Sequence, residues 1–514
     1  MSIDIRATHP QGSPMPRTHA GVREWAALVV LMLPVLLVSV DNTVLSFALP
    51  AISTGLEPSA KQLLWIVDIY PLMLAGLLVA MGSLGDRIGR RRLLLIGAAG
   101  FGAVKIIAAY SVSPEMLIVS RALLGVFGAT LMPSTLSLLR NIFTDRAQRR
   151  LAIAIWASAF AGGAALGPIM GGWLLEHFWW GSVFLITVPV VIALIPAVAL
   201  LVPESKDPAP GRIDPTSIVL SLATMLPVVY AIKAFAEDGW SNAVVTALVV
   251  GTAAGVAFVR RQLASPTPML DVRLFANPVF SGAVSSNLLS VLGFAGFLFF
   301  VAQFLQLVIG LSPMEAGTVL VPGLVASIIA GLVAVRLVRI IRAHVLIGGS
   351  FALSAAGYAI AAFVGDVPTV LSICVAFIAV GVGIGLAETL TNDIIIATAP
   401  AEKSGAASAI SETAYEVGAV LGTAVLGSVL MSTYRSDIAI PAAVPHDEAR
   451  LATETLGGAV EAANGLGPAG DALLRSAHLA FDHGVQVTCA LGILIALGAA
   501  VVSAFALRNA DTDA

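Results

Sequence analysis

Long apolar runs separated by short polar segments recur along this chain of 514 residues. A run of about 20 apolar residues is long enough to cross the ~30 Å hydrocarbon core as an α-helix, which satisfies its own backbone hydrogen bonds. The sequence therefore predicts an all-α polytopic membrane protein. We place about fourteen spans at 25–48, 62–84, 93–111, 115–139, 151–175, 181–202, 214–236, 242–260, 279–309, 314–336, 344–364, 367–398, 404–431 and 483–507.

The composition agrees with a chain that mostly faces lipid. Charged residues make up 11% of the sequence, against roughly a quarter in soluble domains, and mean hydropathy is +0.94. A net charge of −3 gives no reason to expect a nucleic-acid partner. The only cysteines, Cys374 and Cys489, lie far apart in apolar runs, so neither a disulfide framework nor a metal site is predicted.

Basic residues provide an independent test of this layout. With both termini cytoplasmic, the inner segments hold 21 Lys and Arg residues and the outer segments hold four, as the positive-inside rule requires. Three basic residues fall within spans. We expect Lys105 and Lys233 to snorkel to the outer interface, whereas Arg121 lies deeper and needs a partner.

One outer segment, 432–482, is unusually long, mildly acidic and rich in Ala, Glu and Gly. Its stretch 447–463 is typical of a helix and is followed by a Gly- and Pro-containing break. The sequence leaves two alternatives open here, a folded external hairpin and a flexible loop.

The segment after the second span combines glycines, one acid and a basic cluster. It reads Gly82-Ser-Leu-Gly85-Asp86-Arg87-Ile-Gly89-Arg90-Arg91-Arg92. Glycine permits close helix approach, and Asp86 can accept hydrogen bonds from a neighbouring helix N-terminus, where the macrodipole favours an anion. A generic loop explains the arginines, but not the glycine spacing around an acid.

The fifth predicted span carries small residues at four-residue spacing. Its sequence Gly163-x-x-x-Gly167-Pro168-x-x-Gly171-Gly172 predicts a smooth face for close helix packing. Pro168 removes one helical hydrogen bond and bends the helix. A GxxxG pair alone indicates only static packing, but the longer pattern is much more specific.

These segments resemble the major facilitator superfamily. The Asp86 loop is similar to its motif A, Arg121-Ala-Leu-Leu-Gly125-Val-Phe-Gly128-Ala129 to motif B, and the Gly167-Pro168 segment to the antiporter motif C. Phrases around Asp41, Trp65 and Glu412 resemble the fourteen-helix drug:proton antiporters of the QacA, SmvA and LfrA type. The second copy of motif A is reduced to three basic residues, Arg336, Arg339 and Arg342.

The resemblance implies two six-helix bundles plus two inserted helices. The corresponding segments are a cytoplasmic tail 1–24, a first bundle 25–202, inserted helices within 203–260, a second bundle 261–507 with external loop 432–482, and a tail 508–514. It also implies that gating depends on Gly82, Gly85, Asp86, Arg87, Gly89, Arg90, Arg121, Gly163, Gly167, Pro168 and Gly171.

Acids inside apolar spans cost roughly 2.5–3.5 kcal/mol each on insertion scales, so each needs a function or a partner. The chain carries Asp41, Asp68, Glu388, Asp393, Glu412 and Glu416. A structural role, such as pairing with Arg121 or capping a break, competes with a functional one and is favoured for Glu388 and Asp393.

Two pairs of residues suggest which of these acids carry protons and which bind cargo. Glu412 and Glu416 share a helix face beside Tyr415, and two such close carboxylates do not both ionise readily in low dielectric, which suits a proton carrier. Trp65 lies one turn before Asp68, an arrangement that attracts organic cations. We predict proton coupling by Glu416, Glu412 and Asp41, and cargo binding by Asp41, Asp68, Trp65, Tyr415, Gln303 and Phe294.

No Gly-Lys pair occurs in the sequence, so a GxxxxGK[ST] phosphate loop is absent and the proton gradient is the expected energy source. We predict a proton-coupled efflux antiporter for cationic amphipathic compounds: quaternary ammonium compounds, dyes such as ethidium, and fluoroquinolones. It is expected in the plasma or inner membrane, with no cofactor, metal or nucleic-acid partner, and as a monomer.

Three other functions remain to be weighed. A specific-metabolite exporter and a nutrient importer are the near alternatives, and the GPxxGG pattern argues against import. A membrane-embedded lipid enzyme would need a nucleophile and base or a metal constellation. None of the seven histidines is placed for such a site, and only His483 is worth considering.

Overall fold

The computed structural model describes residues 20–206, 214–266, 268–363, 369–400, 403–508 and 510. Within those ranges the secondary structure is helical, without strands. The first half contains α1 (Val22–Leu56), α2 (Ala60–Ile88), α3 (Arg90–Ala109), α4 (Pro114–Ile142), α5 (Arg146–His177) and α6 (Ser182–Leu201), followed by the inserted α7 (Pro215–Asp238) and α8 (Asn242–Ala264).

The second half follows a short 3₁₀ turn, Val272–Ala276. It contains α9 (Pro278–Val308, π-helical from Phe304), α10 (Pro313–Leu337), α11 (Ala343–Phe363), α12 (Val370–Thr398), α13 (Ser404–Gly422, a π turn Thr423–Gly427, then Ser428–Asp437), α14 (His446–Glu454), α15 (Leu456–Ala463) and α16 (Pro468–Ala506).

Thirteen of the described helices are long and apolar enough to cross a membrane. The other long helix, α5, occupies the position of the fifth predicted span. The all-α membrane architecture is therefore confirmed, including the inserted helices. The division of the chain into 1–24, 25–202, 203–260, 261–507 and 508–514 stays a prediction, and residues 1–19 and 511–514 lie outside the described ranges.

The helix that contains the last predicted span, 483–507, extends beyond that span at its start. The helix α16 begins at Pro468, directly after Gly467, whose φ of +53° is left-handed. The early turns are more polar than a lipid-facing span because one face is covered by protein, with Leu473 and Phe481 buried. A criterion based on apolar runs finds segments that face lipid, so it did not include these protein-covered turns.

The external segment between α13 and α16 is folded, so the hairpin alternative is correct. Its helices α14 and α15 meet at Thr455. The Tyr434 hydroxyl donates to the Ala452 carbonyl at 2.8 Å, the hydroxyls of Ser53 and Thr455 are 2.8 Å apart, and the Ala60 amide donates to Glu454 at 3.1 Å. The hairpin thus bonds to α1 and α2 of the other half.

The two halves meet along two seams, α5 against α10 and α2 against α13. Glycine allows α5 and α10 to approach closely at the first seam. A Cβ at Gly172 would lie 2.6 Å from the Met314 Cα of α10. On the neighbouring face a Cβ at Gly163 would lie 2.8 Å from that of Ser39, and one at Gly167 would clash with Thr43 of α1. The predicted smooth packing face is confirmed.

The inserted helices pack chiefly on each other and are largely exposed to the exterior. The guanidinium of Arg261 on α8 binds both carboxylate oxygens of Asp214, each at 2.9 Å, and so holds the pKa of that carboxyl below its ordinary value. The helix α7 contacts the bundle at α2 and α13. It therefore borders the second seam.

Candidate functional site

A cavity of about 750 Å³ lies between the halves and extends to Asp86 and Arg140, on the side that carries the basic loops. Its walls come from α2, α4 and α5 of the first half and from α12 and α13 of the second. The volume falls within the range of small-molecule sites, about 300–1,000 Å³. The seams place the cavity where relative motion of the halves would change its access.

Aromatic rings and carboxyl groups face this cavity together. Trp156, Phe160 and Tyr415 line it, with Phe160 and Tyr415 in edge contact at 5.7 Å across the interface between the halves. Glu388 and Glu412 contribute carboxyl groups. Flat apolar faces beside anions favour delocalised organic cations through apolar contact, charge and cation–π attraction.

The structure adds lining residues that the sequence had not selected. Glu388 was assigned a structural role, but it lines the cavity with Asn392 on the next turn of α12. The Ser411 hydroxyl donates to Asn392, which joins α12 to α13 at the cavity wall. The embedded charge of Glu388 was the available signal. The sequence could not show which way the Glu388 side chain points, because α12 is apolar on all faces and its rotation could not be predicted.

Glu416 lies one turn further from the basic side than Glu412. It is only 1% exposed, and neither of its carboxylate oxygens has a hydrogen-bond partner in the described ranges. An unpaired buried carboxylate is strongly disfavoured, so this conformation favours the protonated, neutral form. Glu412 reaches the cavity one turn away. The structure therefore places the buried Glu416 one turn from Glu412, which faces the cavity, and their roles in proton coupling stay a prediction.

The acid of α1 is held in a buried charge cluster. Asp41 accepts from the Lys105 ammonium and, at 2.9 Å, from the Arg121 guanidinium. Arg121 also donates to the Ile66 carbonyl at 3.0 Å and lies 4.7 Å from the centre of the Tyr70 ring. The partner that Arg121 requires is therefore Asp41. The proposed proton and cargo roles of Asp41 stay predictions.

A second buried pair joins α2 to the inserted α7. The Lys233 ammonium lies 2.8 Å from an Asp68 carboxylate oxygen and 4.2 Å from the centre of the Trp65 ring. Asp68 and Trp65 are thus brought together, as the sequence predicts, but a lysine occupies their shared space. The snorkelling predicted for Lys105 and Lys233 is wrong, because an embedded acid stabilises each buried ammonium more than the distant interface could.

The motif A loop differs from the prediction in one contact. Asp86 binds Arg90 within its own loop, at 2.9 Å from Nε, while Arg87 is exposed. The anion at the N-terminus of α3 is Glu204, which accepts from the amides of Arg91 and Arg92 at 3.0 and 3.2 Å. The N-terminal partner predicted for Asp86 is therefore wrong, since the acid following α6 already fills that position.

Glycines close to Asp86 permit these contacts. Gly89 has φ +109°, and a Cβ there would lie 2.8 Å from Glu204, so this position requires glycine. Gly82 lines the large cavity, and Gly85 supplies the carbonyl that accepts from the Gly89 amide at 3.0 Å. The gating roles predicted for the glycines stay predictions.

Two predicted cargo residues lie elsewhere in the second half. Phe294 stacks on Phe377 at 5.8 Å, and the buried Gln303 donates to the Phe299 carbonyl at 2.9 Å. Neither is among the residues that line the large cavity. Their assignment to cargo stays a prediction.

The family is decided by a match that spans most of the chain. The model of the Major Facilitator Superfamily matches residues 31–423. The chain belongs to the Major Facilitator Superfamily. This confirms the resemblance carried by its motif segments.

Relatives in this superfamily extend over nearly the whole chain. It is 52% identical to the multidrug efflux pump LfrA of Mycolicibacterium smegmatis, over 97% of this chain and 99% of the relative. It is 37% identical to the methyl viologen resistance protein SmvA of Salmonella typhimurium, over 95% and 99%. It is 32% identical to the tetracenomycin C resistance and export protein of Streptomyces glaucescens, over 98% and 96%.

A solved structure shares the superfamily fold. It is a bacterial homologue of the human lysosomal transporter Spinster, crystallised in an inward-facing, unoccupied conformation. The TM-score is 0.66 at 18% identity, over 96% of this chain and all of the other. This likeness supports the two-bundle architecture alone.

The Asp41 cluster generates a stability prediction. Asp41→Asn leaves Lys105 and Arg121 buried without an anion, and we expect it to lower the free energy of unfolding by about 3 kcal/mol or more. Asp86→Asn, at a partly exposed pair, should cost about 1 kcal/mol or less. Thermal unfolding in detergent measures both, and equal losses would contradict a structural role for the cluster.

Proposed function

We propose that this chain is a proton-coupled multidrug efflux antiporter for cationic amphipathic compounds. The expected cargoes are quaternary ammonium compounds, dyes such as ethidium, and fluoroquinolones. The observation that carries this proposal is the large cavity between the halves, in which Trp156, Phe160 and Tyr415 lie beside Glu388 and Glu412. The names of the relatives, which refer to efflux of several drugs and to methyl viologen resistance, support the same cargo class.

The mechanism follows from exchange at buried carboxyl groups. A cargo cation entering the cavity from the basic side is attracted by the carboxyl groups of Glu412 and Glu388, and it is held more tightly once Glu416, one turn away, has lost its proton. In this conformation Glu416 stores that proton, without a hydrogen-bond partner among the described residues. When the halves rock about their seams, the site is exposed to the opposite side. Protonation there releases the cargo, and loss of the proton on the basic side resets the site.

The proposal includes the environment and energy source of the protein. We place it in the plasma or inner membrane as a monomer with both termini cytoplasmic, driven by the proton gradient without nucleotide, cofactor or metal. Its activity is transport and not catalysis. A specific-metabolite exporter is the competing function, and it predicts that structurally unrelated cations do not compete for the cavity.

The direct test uses inside-out vesicles with an acidic interior. We expect them to accumulate ethidium and to lose the signal on addition of a protonophore, because efflux of protons drives entry of the dye. Competition by an unrelated quaternary ammonium compound distinguishes multidrug from single-substrate export. ATP-driven uptake with the proton gradient clamped at zero would contradict the proposal.

The packing face between α5 and α1 provides a test of conformational gating. Gly167→Leu should leave ethidium affinity within about threefold of wild type but slow transport at least tenfold, since the added side chain separates α5 from α1 without touching the cavity. Gly162→Leu is the matched control, because a Cβ at Gly162 meets no atom within 4 Å. Loss of dye binding in a folded Gly167→Leu protein would show that the segment contacts cargo.

The buried carboxyl of Glu416 predicts a pH signature. Wild-type ethidium affinity should rise with pH, as the desolvated Glu416 carboxyl loses its proton and the cation gains an anion. Glu416→Gln should bind ethidium with this pH dependence erased. The measurement is the dissociation constant against pH for each amide variant. If Glu416→Gln keeps the full dependence while Asp41→Asn loses it, the proton site lies on α1.

A further inference from the structure

The inserted helix α7 places one cation in a site suited to cargo. The Lys233 ammonium lies against Asp68 at 2.8 Å and over Trp65 at 4.2 Å, and both charged side chains are buried. A single carboxylate with an aromatic face at this distance is the arrangement that binds organic ammonium groups in proteins. Lys233 therefore satisfies the site as a monovalent organic cation would.

The other buried lysine serves as a comparison. Lys105 shares Asp41 with Arg121, so that acid faces two cations and has no charge to offer a third. In the described ranges, Asp68 has a single ion-pair partner, Lys233. If the Lys233 ammonium leaves, one full negative charge beside Trp65 becomes available. Asp68 is therefore the better candidate for exchange of cations.

A second cavity adjoins Lys233, and a displaced Lys233 ammonium can move into it. This outer cavity, of about 320 Å³, is lined by Lys233, Lys61 and Arg435 together with the hydroxyl side chains of Ser428 and Ser432 of α13. It lies at the ends of α2 and α13 opposite those that border the large cavity. Its hydroxyl groups can accept hydrogen bonds from a displaced ammonium.

We propose that Lys233 is a tethered counter-cation, which occupies the Asp68–Trp65 site in this conformation and is displaced into the outer cavity by the second charge of a dicationic cargo. The exchange replaces one cation by another, so Asp68 is never left buried and unpaired. Monocations held near Glu412 do not need the site. The inserted helices thereby set selectivity for the number of charges on the cargo, a role that rests on the proposed export of organic cations.

Binding of two related dyes to purified variants tests this inference. Ethidium carries one charge, and propidium adds a second cationic group to the same ring system. Lys233→Met, which removes the ammonium group and keeps an unbranched side chain one atom shorter, should tighten propidium binding about tenfold, or about 1.4 kcal/mol, and change ethidium binding less than threefold. Adding Asp68→Asn should abolish the gain. Lys206→Met, at an exposed lysine that lines neither cavity, should alter neither dye.

Unchanged propidium affinity in folded Lys233→Met, or a gain that persists in the Asp68→Asn double variant, would overturn the proposal. A measurement on the wild type covers the case in which Lys233→Met does not fold. Saturating propidium should increase acetylation of Lys233 by an amine-reactive ester at least threefold, with the exposed Lys206 as internal reference by peptide mass spectrometry. Protection or no change at Lys233 would contradict displacement.

The proposed function can fail separately. If wild-type vesicles show no gradient-driven ethidium accumulation, export itself is refuted. If they do and the propidium results are negative, only the counter-cation role of Lys233 is refuted.

Discussion

Charge pairing inside an apolar bundle is the constraint on which the rest of this structure depends. Lys105, Arg121 and Lys233 are buried, and each is paired with an acid on a neighbouring helix. The pairs also fix helix positions, since Asp41 joins α1 to α3 and α4, while Asp68 joins α2 to α7. Removal of one charge therefore affects packing as well as binding. Isosteric amide substitutions at these sites need a stability measurement beside every transport measurement.

Three other embedded acids differ from the ion-paired Asp41 and Asp68. Glu416 is as buried as the paired acids but lacks a partner in the described part of the chain, and Glu412 and Glu388 face the large cavity. These three carboxyl groups can change charge without disrupting an ion pair between helices. The two groups of acids thus differ in their ion-pair partners, although they look alike in the sequence.

The sequence predicted the spans, the motif segments and the packing face of α5, because these features depend on local apolar length and residue size. It could not predict that Lys105 and Lys233 are buried, since that outcome depends on which helix faces which. The Glu204 contact was missed for the same reason, because more than 100 residues separate it from the α3 amides. The extent of α16 was also missed, because protein contact there replaces lipid contact and hydropathy does not distinguish the two.

The external hairpin has a consequence for the resting conformation. In sequence it belongs to the second half, yet it bonds to the first half through Ser53 and Ala60. Opening on that side must either break these two hydrogen bonds, at about 1 kcal/mol each, or carry the hairpin along with α1 and bend its connections. Either way the soluble segment biases the two-state equilibrium toward closure on its own side. Sequence changes in this aqueous loop could therefore alter the turnover rate without changing any residue in the membrane.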